Sequence, residues 1–137
     1  MRYPLDTSVL SELRKGRRAA PSVRAWLETV DDDALFTSAL VLGELRRGVE
    51  SIRRRDPVAA VALEQWLARL VDQFAERVLK VDAATANRWG LLNVPDPLPT
   101  VDGLLAATAL EHGMTLVTRN TQDVERTGVA TVNPFSD

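Results

Sequence analysis

The chain has 137 residues, 45% apolar and 26% charged, with a formal net charge of −2. That length suits one ordinary domain with a real core, and the charge excludes a protein that is basic throughout and binds nucleic acid by total charge. With no cysteine and a single histidine, His112, disulfides, thiolate metal sites and His-rich zinc sites are excluded.

Any metal must therefore be held by carboxylates and neutral oxygens, which points to Mg²⁺ or Mn²⁺. The longest uninterrupted apolar run, Val58 to Leu63, is far short of the roughly 18 residues that span a bilayer. Met1-Arg2-Tyr3 leads straight into polar sequence, without a secretory signal, so a cytoplasmic protein is expected.

Residues 2–6 read as a buried strand that ends abruptly in Asp6, with the hydroxyls of Thr7 and Ser8 behind it. Val9, Leu10 and Leu13, with Glu12 and Arg14 outside them, predict a short helix over 7–14 that stops near Gly16. Pro21 opens a second helix through about Thr29, with Val23, Trp26, Leu27 and Val30 at helical spacing. After a turn at Asp31–Asp33, Leu35-Phe36-Thr37 form a brief strand. Ser38 caps a helix to about Arg54, and Leu42, Leu45, Val49 and Ile52 are its expected buried stripe.

Asp56 and Pro57 are N-cap and first residue of the next helix. It carries Leu63, Trp66, Leu67, Leu70 and Phe74 on one side and returns antiparallel to its predecessor. Val78 to Val81 is a third strand and 83–93 another helix. Pro95, Pro97 and Pro99 make a stiff extended loop. Thr100 caps a helix of about 101–112 ended by Gly113. Met114 to Thr118 is a buried strand, and Ala130 to Val132 a weak fifth one. Strands separated by helices imply crossover units. The expected fold is α/β, one domain over 1–137, with helices on both faces of a mainly parallel, about five-stranded sheet.

Three acids stand out by position. Asp6 ends the first strand, where ligands gather in open parallel sheets. Glu44 lies at the edge of its helix's apolar stripe, between Gly43 and Gly48. Each glycine costs a helix about 1 kcal/mol relative to alanine, so the pair suggests a close approach there. Asp102 sits in the first turn of its helix. Singly, each has an ordinary explanation: Asp6 a helix cap, Asp102 a complement to the helix dipole, Glu44 a partner for an arginine on its own helix. Together they suggest a shared site. Carboxylates about 5 Å apart repel by roughly 3 kcal/mol at an effective dielectric near 20, and a divalent cation offsets that. A fourth polar group should come from Thr118-Arg119-Asn120-Thr121-Gln122-Asp123, either Asn120 or Asp123.

Basic residues cluster at Arg14, Lys15, Arg17, Arg18 and Arg24, and again at Arg46, Arg47, Arg53, Arg54 and Arg55. Local patches of this kind hold a polyanion even on a slightly acidic protein, or serve as solvated faces.

Four stretches in order are similar to one family. Leu5-Asp6-Thr7-Ser8-Val9-Leu10-Ser11-Glu12, Gly43-Glu44-Leu45-Arg46-Arg47-Gly48, Asp102-Gly103-Leu104-Leu105-Ala106-Ala107-Thr108-Ala109 and Leu116-Val117-Thr118-Arg119-Asn120 resemble the PIN domain. Within it they look most like the FitB-like branch of the VapC toxins, as does the closing Val132-Asn133-Pro134-Phe135. The likeness runs from residue 2 to about 135.

The resemblance implies a three-layer α/β/α PIN-like fold and a Mg²⁺-dependent endoribonuclease, the toxin of a type II toxin–antitoxin pair. It implies Asp6 and Asp102 as metal ligands, Glu44 as third acid and Ser8 as support for Asp6. Many members have Asp where this chain has Asn120, so Asp123 is the other candidate for the fourth role. A homodimer, a VapB-type antitoxin lying across the acidic groove, and a joint complex on operator DNA are also implied. Arg14, Lys15, Arg46, Arg47 and Arg119 are then candidates for holding RNA phosphates.

Rival readings fit less well. A metal-dependent adhesion motif needs a second serine where Leu10 stands, and an aspartyl phosphatase needs Asp at position 8 instead of Ser8. A PIN-fold protein that binds an antitoxin with weak catalysis remains the alternative.

Overall fold

The computed structural model describes residues 1–136. β1 (Tyr3–Pro4) leads into α1 (Thr7–Leu13) and α2 (Pro21–Glu28). β2 (Leu35–Ser38) is followed by the long helices α3 (Ala39–Arg53) and α4 (Pro57–Phe74). Then come β3 (Val78–Leu79), α5 (Ala83–Leu92), α6 (Thr100–His112), β4 (Leu116–Val117), the short α7 (Thr121–Val124) and β5 (Thr131–Val132).

Every strand pair is parallel. Tyr3 lies opposite Leu35, Thr37 opposite Val78, and Leu116 opposite Thr131. The two halves of the sheet meet along the first strand, where Leu5 bridges Val117. There the Thr115 N–H donates to the Arg2 carbonyl at 3.0 Å and the Asp6 N–H to the Val117 carbonyl at 3.1 Å. The spatial order is thus β3-β2-β1-β4-β5. Crossovers between parallel strands are right-handed. The chain moves outward through β1, β2 and β3, then returns to the other side of β1 for β4 and β5. That reversal places α1–α4 on one face and α5–α7 on the other, giving the three-layer α/β/α arrangement.

β2 runs one residue further than the sequence predicts, to Ser38, while the other strands are shorter; for β1 and β4 the ends are claimed by neighbouring helices. Asp6 caps α1. The Met114 N–H donates to the Ala109 carbonyl at 2.8 Å and so belongs to the end of α6, behind Gly113 at φ 63°. The caps at Ser38, Asp56 and Asp82 each accept a backbone N–H in the first turn, a device typically worth about 1 kcal/mol. Thr100 is not the cap expected of it. Pro99, fixed in an extended conformation, already accepts the first helical bond, from the Gly103 N–H at 2.8 Å, and Thr100 is the first helical residue.

The buried stripe of α3 is Val41, Leu45 and Val49, with Leu42 and Ile52 half-covered; it starts one residue earlier than the pattern suggests. α6 is buried on nearly all sides through Gly103 and Leu105 to Ala109, as befits a helix without a polar face. Leu5, Val9, Leu10, Leu116 and Val117 form the centre of the core beneath it. Among the described residues no helix is long and apolar enough to cross a membrane.

Candidate active site

The chain departs from β1 toward β2 on one side and returns to it through β4 on the other. Such a reversal opens a crevice beyond the carboxyl ends of the strands, and Asp6 stands in it, only 3% exposed. Its Oδ1 accepts from the Ser8 hydroxyl at 2.6 Å and the Val9 N–H at 3.1 Å; its Oδ2 accepts from the Thr118 hydroxyl at 2.5 Å. Asp6 is therefore the N-cap of α1 and also a pocket residue. A carboxylate has about four acceptor positions, so these donors hold it rigidly while leaving capacity toward the crevice.

Glu44 enters from α3. Its Oε1 accepts from the Thr7 hydroxyl at 2.5 Å, and its Oε2 lies 3.8 Å from Arg47 on its own helix. Asp102 enters from the first turn of α6. Gly103 beside it is where a side chain would press on Leu98 and the Trp89 ring nitrogen, with contacts of 3.1–3.3 Å. Lacking one, the first turn of α6 tucks close under the 93–99 loop and carries Asp102 inward.

The Asp102 carboxyl is pushed up to about 6, by burial first, then by the charges of Asp123 and Asp6, a hydrogen bond with the Asp123 side chain, and the charge of Glu44. Three acids from distant parts of the sequence thus act on Asp102. Asp123 is exposed on α7, beside Asp102, whereas Asn120 joins the wall directly. The Asn120 N–H is anchored to the Thr118 hydroxyl at 2.9 Å.

The crevice measures about 530 Å³ and is lined by Asp6, Thr7, Ser8, Glu44, Asp102 and Asn120, with Pro99, Thr100, Val101 and Leu105. No lysine or arginine is in that wall. An all-oxygen donor set with uncompensated negative charge fits a hard divalent cation. Among the described residues no three carboxylate or imidazole groups gather tightly enough to grip an ion by themselves. Hydroxyls hold Asp6 and Glu44 in their own directions, and like charges keep the carboxylates apart. An ion that keeps several waters and takes one or two carboxylates, as Mg²⁺ does, suits that spacing.

The close approach inferred from Gly43 and Gly48 is not made within the chain: a side chain at either position would meet open space. The basic candidates are differently placed. Lys15 pairs with Glu12 at 3.0 Å, and Arg46 with Glu50 and Glu64 at 3.1 and 2.8 Å. Arg14 lines a trough running from Thr7 and Glu44 past Ile52, Leu63 and Trp66. Arg119 lies over the Phe135 ring.

Sequence reasoning missed Thr118, whose hydroxyl reaches Asp6 across 112 residues, and the bond between Thr7 and Glu44. The signal for Thr118 is its position just beyond a strand pairing with the one that carries Asp6, which requires the sheet order to be known.

Comparison with known proteins gives a consistent result. The family profile described as PIN domain matches residues 3–129. The chain is 32% identical to Toxin FitB of Neisseria gonorrhoeae, covering 97% of this chain and 98% of that protein. It is 30% identical to VapC ribonuclease Y4jK of Sinorhizobium fredii, covering 96% of each. The crystal structure of FitAcB from Neisseria gonorrhoeae superimposes with a TM-score of 0.89 at 28% identity, covering 98% of this chain and 99% of that one. The FitAB complex bound to a DNA fragment matches at 0.88, also at 28% identity, covering 98% and 96%.

Proposed function

This chain belongs to the PIN-domain family, and from that premise we propose that it is a Mg²⁺-dependent endoribonuclease, the toxin of a toxin–antitoxin pair. The observation that carries the reading is the meeting of Asp6, Glu44 and Asp102 in one crevice at the sheet's reversal point, without a basic residue in the wall. Similarity to a protein named as a VapC ribonuclease and to one named Toxin FitB supports it.

Asp6 and Asp102 are the residues suited to hold the cation, Asp6 because three donors fix it and Asp102 because a positive charge relieves its crowding. Mg²⁺ held there, or Mn²⁺ in its place, would polarise a phosphate oxygen and lower the pKa of a bound water. Glu44, oriented by the Thr7 hydroxyl, is the side chain that would accept a hydrogen bond from a water entering the crevice. Ser8 and Thr118 keep the Asp6 carboxylate from rotating. Asn120 completes the wall as a neutral donor, and Asp123 lies beside Asp102, within hydrogen-bond reach of its carboxyl. Arg14, Arg47 and Arg119, which lie outside the crevice wall, are the candidate RNA-phosphate contacts; Lys15 is held by Glu12, and Arg46 by Glu50 and Glu64, so both contribute less.

The partner we propose is a VapB-type antitoxin, by analogy with the FitAcB structure, and a homodimer that joins it on operator DNA, by analogy with the FitAB complex bound to DNA. The whole chain, 1–137, is one PIN domain acting in the cytoplasm. The alternative, a PIN-fold partner with little catalysis, draws on Asn120 and on the loose spacing of the acids. Purified protein incubated with total RNA and Mg²⁺ decides between them. Cleavage that EDTA and Asp6→Asn both abolish is the expected result. Intact RNA, with cation binding confirmed by calorimetry, would leave only the binding role.

A further inference from the structure

Arg119 differs from every other basic residue near the crevice in how it is held. Its guanidinium carbon lies 3.7 Å from the centre of the Phe135 ring, the tightest such stacking in the chain. Among the described residues no carboxylate pairs with it and it makes no hydrogen bond. It lies near enough to Glu12 to help hold that carboxyl below the usual range, after Lys15 and the Ala20 N–H. By contrast Arg46, Arg53 and Arg88 each sit within 2.8 Å of a carboxylate.

The backbone beneath Arg119 is fixed as firmly as the site itself. Thr118 before it donates to Asp6, and Asn120 after it lines the crevice and donates back to the Thr118 hydroxyl. Phe135 is fixed too: it packs partly against the core, and its N–H donates to the Asn133 side chain at 3.0 Å. A guanidinium centred over a ring leaves the N–H groups of its planar fork available for two parallel bonds to a phosphate. The ring covers one face and limits the conformers the side chain must give up on binding, while adding the attraction of cation over π-face.

We propose that Arg119, presented by Phe135, is a dedicated contact for an RNA phosphate next to the one that is cut. Phe135 is the positioning residue of that contact. The inference rests on the ribonuclease reading above for its substrate class and goes beyond it by singling out one arginine and giving the closing segment a role. Among the described residues, a fixed backbone, a supported guanidinium and no carboxylate within ion-pair distance come together at no other arginine near the crevice.

The test measures binding of fluorescein-labelled single-stranded RNA of mixed sequence to the full chain by anisotropy. An Asp102→Asn background prevents cleavage, and salt concentration is varied. Arg119→Ala is expected to weaken binding about tenfold, the scale of one charge-assisted contact. It should also flatten the slope of log affinity against log salt by about 0.7, one phosphate on a single strand. Arg119→Lys recovers less than half of the loss, because a point charge neither stacks nor forks. Phe135→Leu, which keeps the apolar packing, weakens binding about threefold, and Phe135→Tyr restores it; these magnitudes follow the modest worth of exposed cation–π pairs.

Unchanged affinity and slope in Arg119→Ala would overturn the proposal. A normal Phe135→Leu beside a weakened Arg119→Ala would overturn the positioning role. The outcome separates from that of the enzymatic reading: a wild-type chain that leaves RNA intact yet binds it through Arg119 would end the ribonuclease reading and keep Arg119 as an RNA-phosphate contact, without a cut beside it.

Discussion

On the outer face of the α3–α4 hairpin, Arg46 and Arg53 each bridge Glu50 and Glu64 at 2.7–3.1 Å. Each of these four charges has an opposite partner. Hydrogen bonds from Arg53 and Arg46 hold the Glu50 carboxyl below its usual range, and those from Arg46 lead in doing the same for Glu64. Less than two turns up the same helix, Glu44 faces Asp6 and Asp102 across a crevice with no cation in its wall, and the nearest carboxyl shift runs the other way, with Asp102 raised to about 6. The residue types are alike; the company differs. Pairs of exposed charges are common and add little stability. Uncompensated charge gathered by three separate elements works against folding, and is understandable only if something that arrives later completes it.

The sharpest way to break that contrast is to remove one acid from each cluster. Asp102→Asn or Asp6→Asn is expected to lower RNA cleavage by at least about a thousandfold, the scale of losing several kcal/mol of charge stabilisation. Glu64→Gln should leave cleavage unchanged. Rates on total RNA with Mg²⁺ in excess test this, and equal losses at Glu64 and Asp102 would erase the distinction. The metal-free melting temperatures add a second axis. Asp102→Asn relieves the repulsion and raises Tm. Asp6→Asn does not share the gain, because its new N–H₂ group replaces an oxygen that the Thr118 hydroxyl now contacts.

Next in size is the response to cation. Mn²⁺ or Mg²⁺ at about a hundred times its dissociation constant stabilises a protein that binds it only when folded by about 2.7 kcal/mol. A thermal scan of the wild-type chain should show that rise, and Asp102→Asn should lose most of it. Equal rises in both would place the cation elsewhere.

How much of this was legible in the sequence follows from how local each feature is. Caps at Ser38 and Asp56 involve groups two or three residues apart and are legible directly; the cap at Asp82 is as local, but the pattern there yields only a helix over 83–93. Asp6, Glu44 and Asp102 were legible as positions, because chemistry at the ends of strands and starts of helices recurs in α/β folds. Their support was not. Thr118 reaches Asp6, and Thr7 reaches Glu44, only through the order β3-β2-β1-β4-β5, which no short window contains. The shift of the α3 stripe to Val41 has the same origin: the sheet and α4 decide which flank of the helix is covered, and Leu42 is as apolar as Val41. Gly43 and Gly48 were read as marks of close approach, yet nothing in the chain approaches them. Gly48 instead borders the trough beside Glu44.

A smaller and more specific effect comes from pH. Below the unfolded value near 3.8 Asp102 is protonated in both states, and above about 6 in neither. Between those values the folded protein holds more proton than the unfolded one, so metal-free stability falls as pH rises through the window. The group is half-exposed, so solvent screening makes the change modest. When cation is present, proton and metal compete for Asp102, so cleavage should fall as pH is lowered, at a midpoint that moves below the metal-free value as the cation concentration rises. Urea titrations across the window test the first expectation and initial rates the second. Asp102→Asn should flatten the stability trend, and a trend that survives in that variant would assign it to another acid.

The smallest expected effect closes the comparison from the paired side. Arg46→Ala leaves Glu50 and Glu64 with Arg53 alone, on a surface where water and salt screen what remains. Its Tm should move by little more than the error of a thermal scan, and that small change should disappear at high salt. Cleavage of RNA at low salt should fall only slightly, because Arg46 has both its carboxylates to leave before it can serve a phosphate. A double variant, Arg46→Ala with Glu64→Gln, tests whether the network acts as a unit: its effect should equal the sum of the singles if exposed pairs are as independent as their screening suggests. A large shortfall from additivity would mean that the rim is as coupled as the crevice. The difference between the two clusters would then lie in exposure rather than in whether their charges are answered.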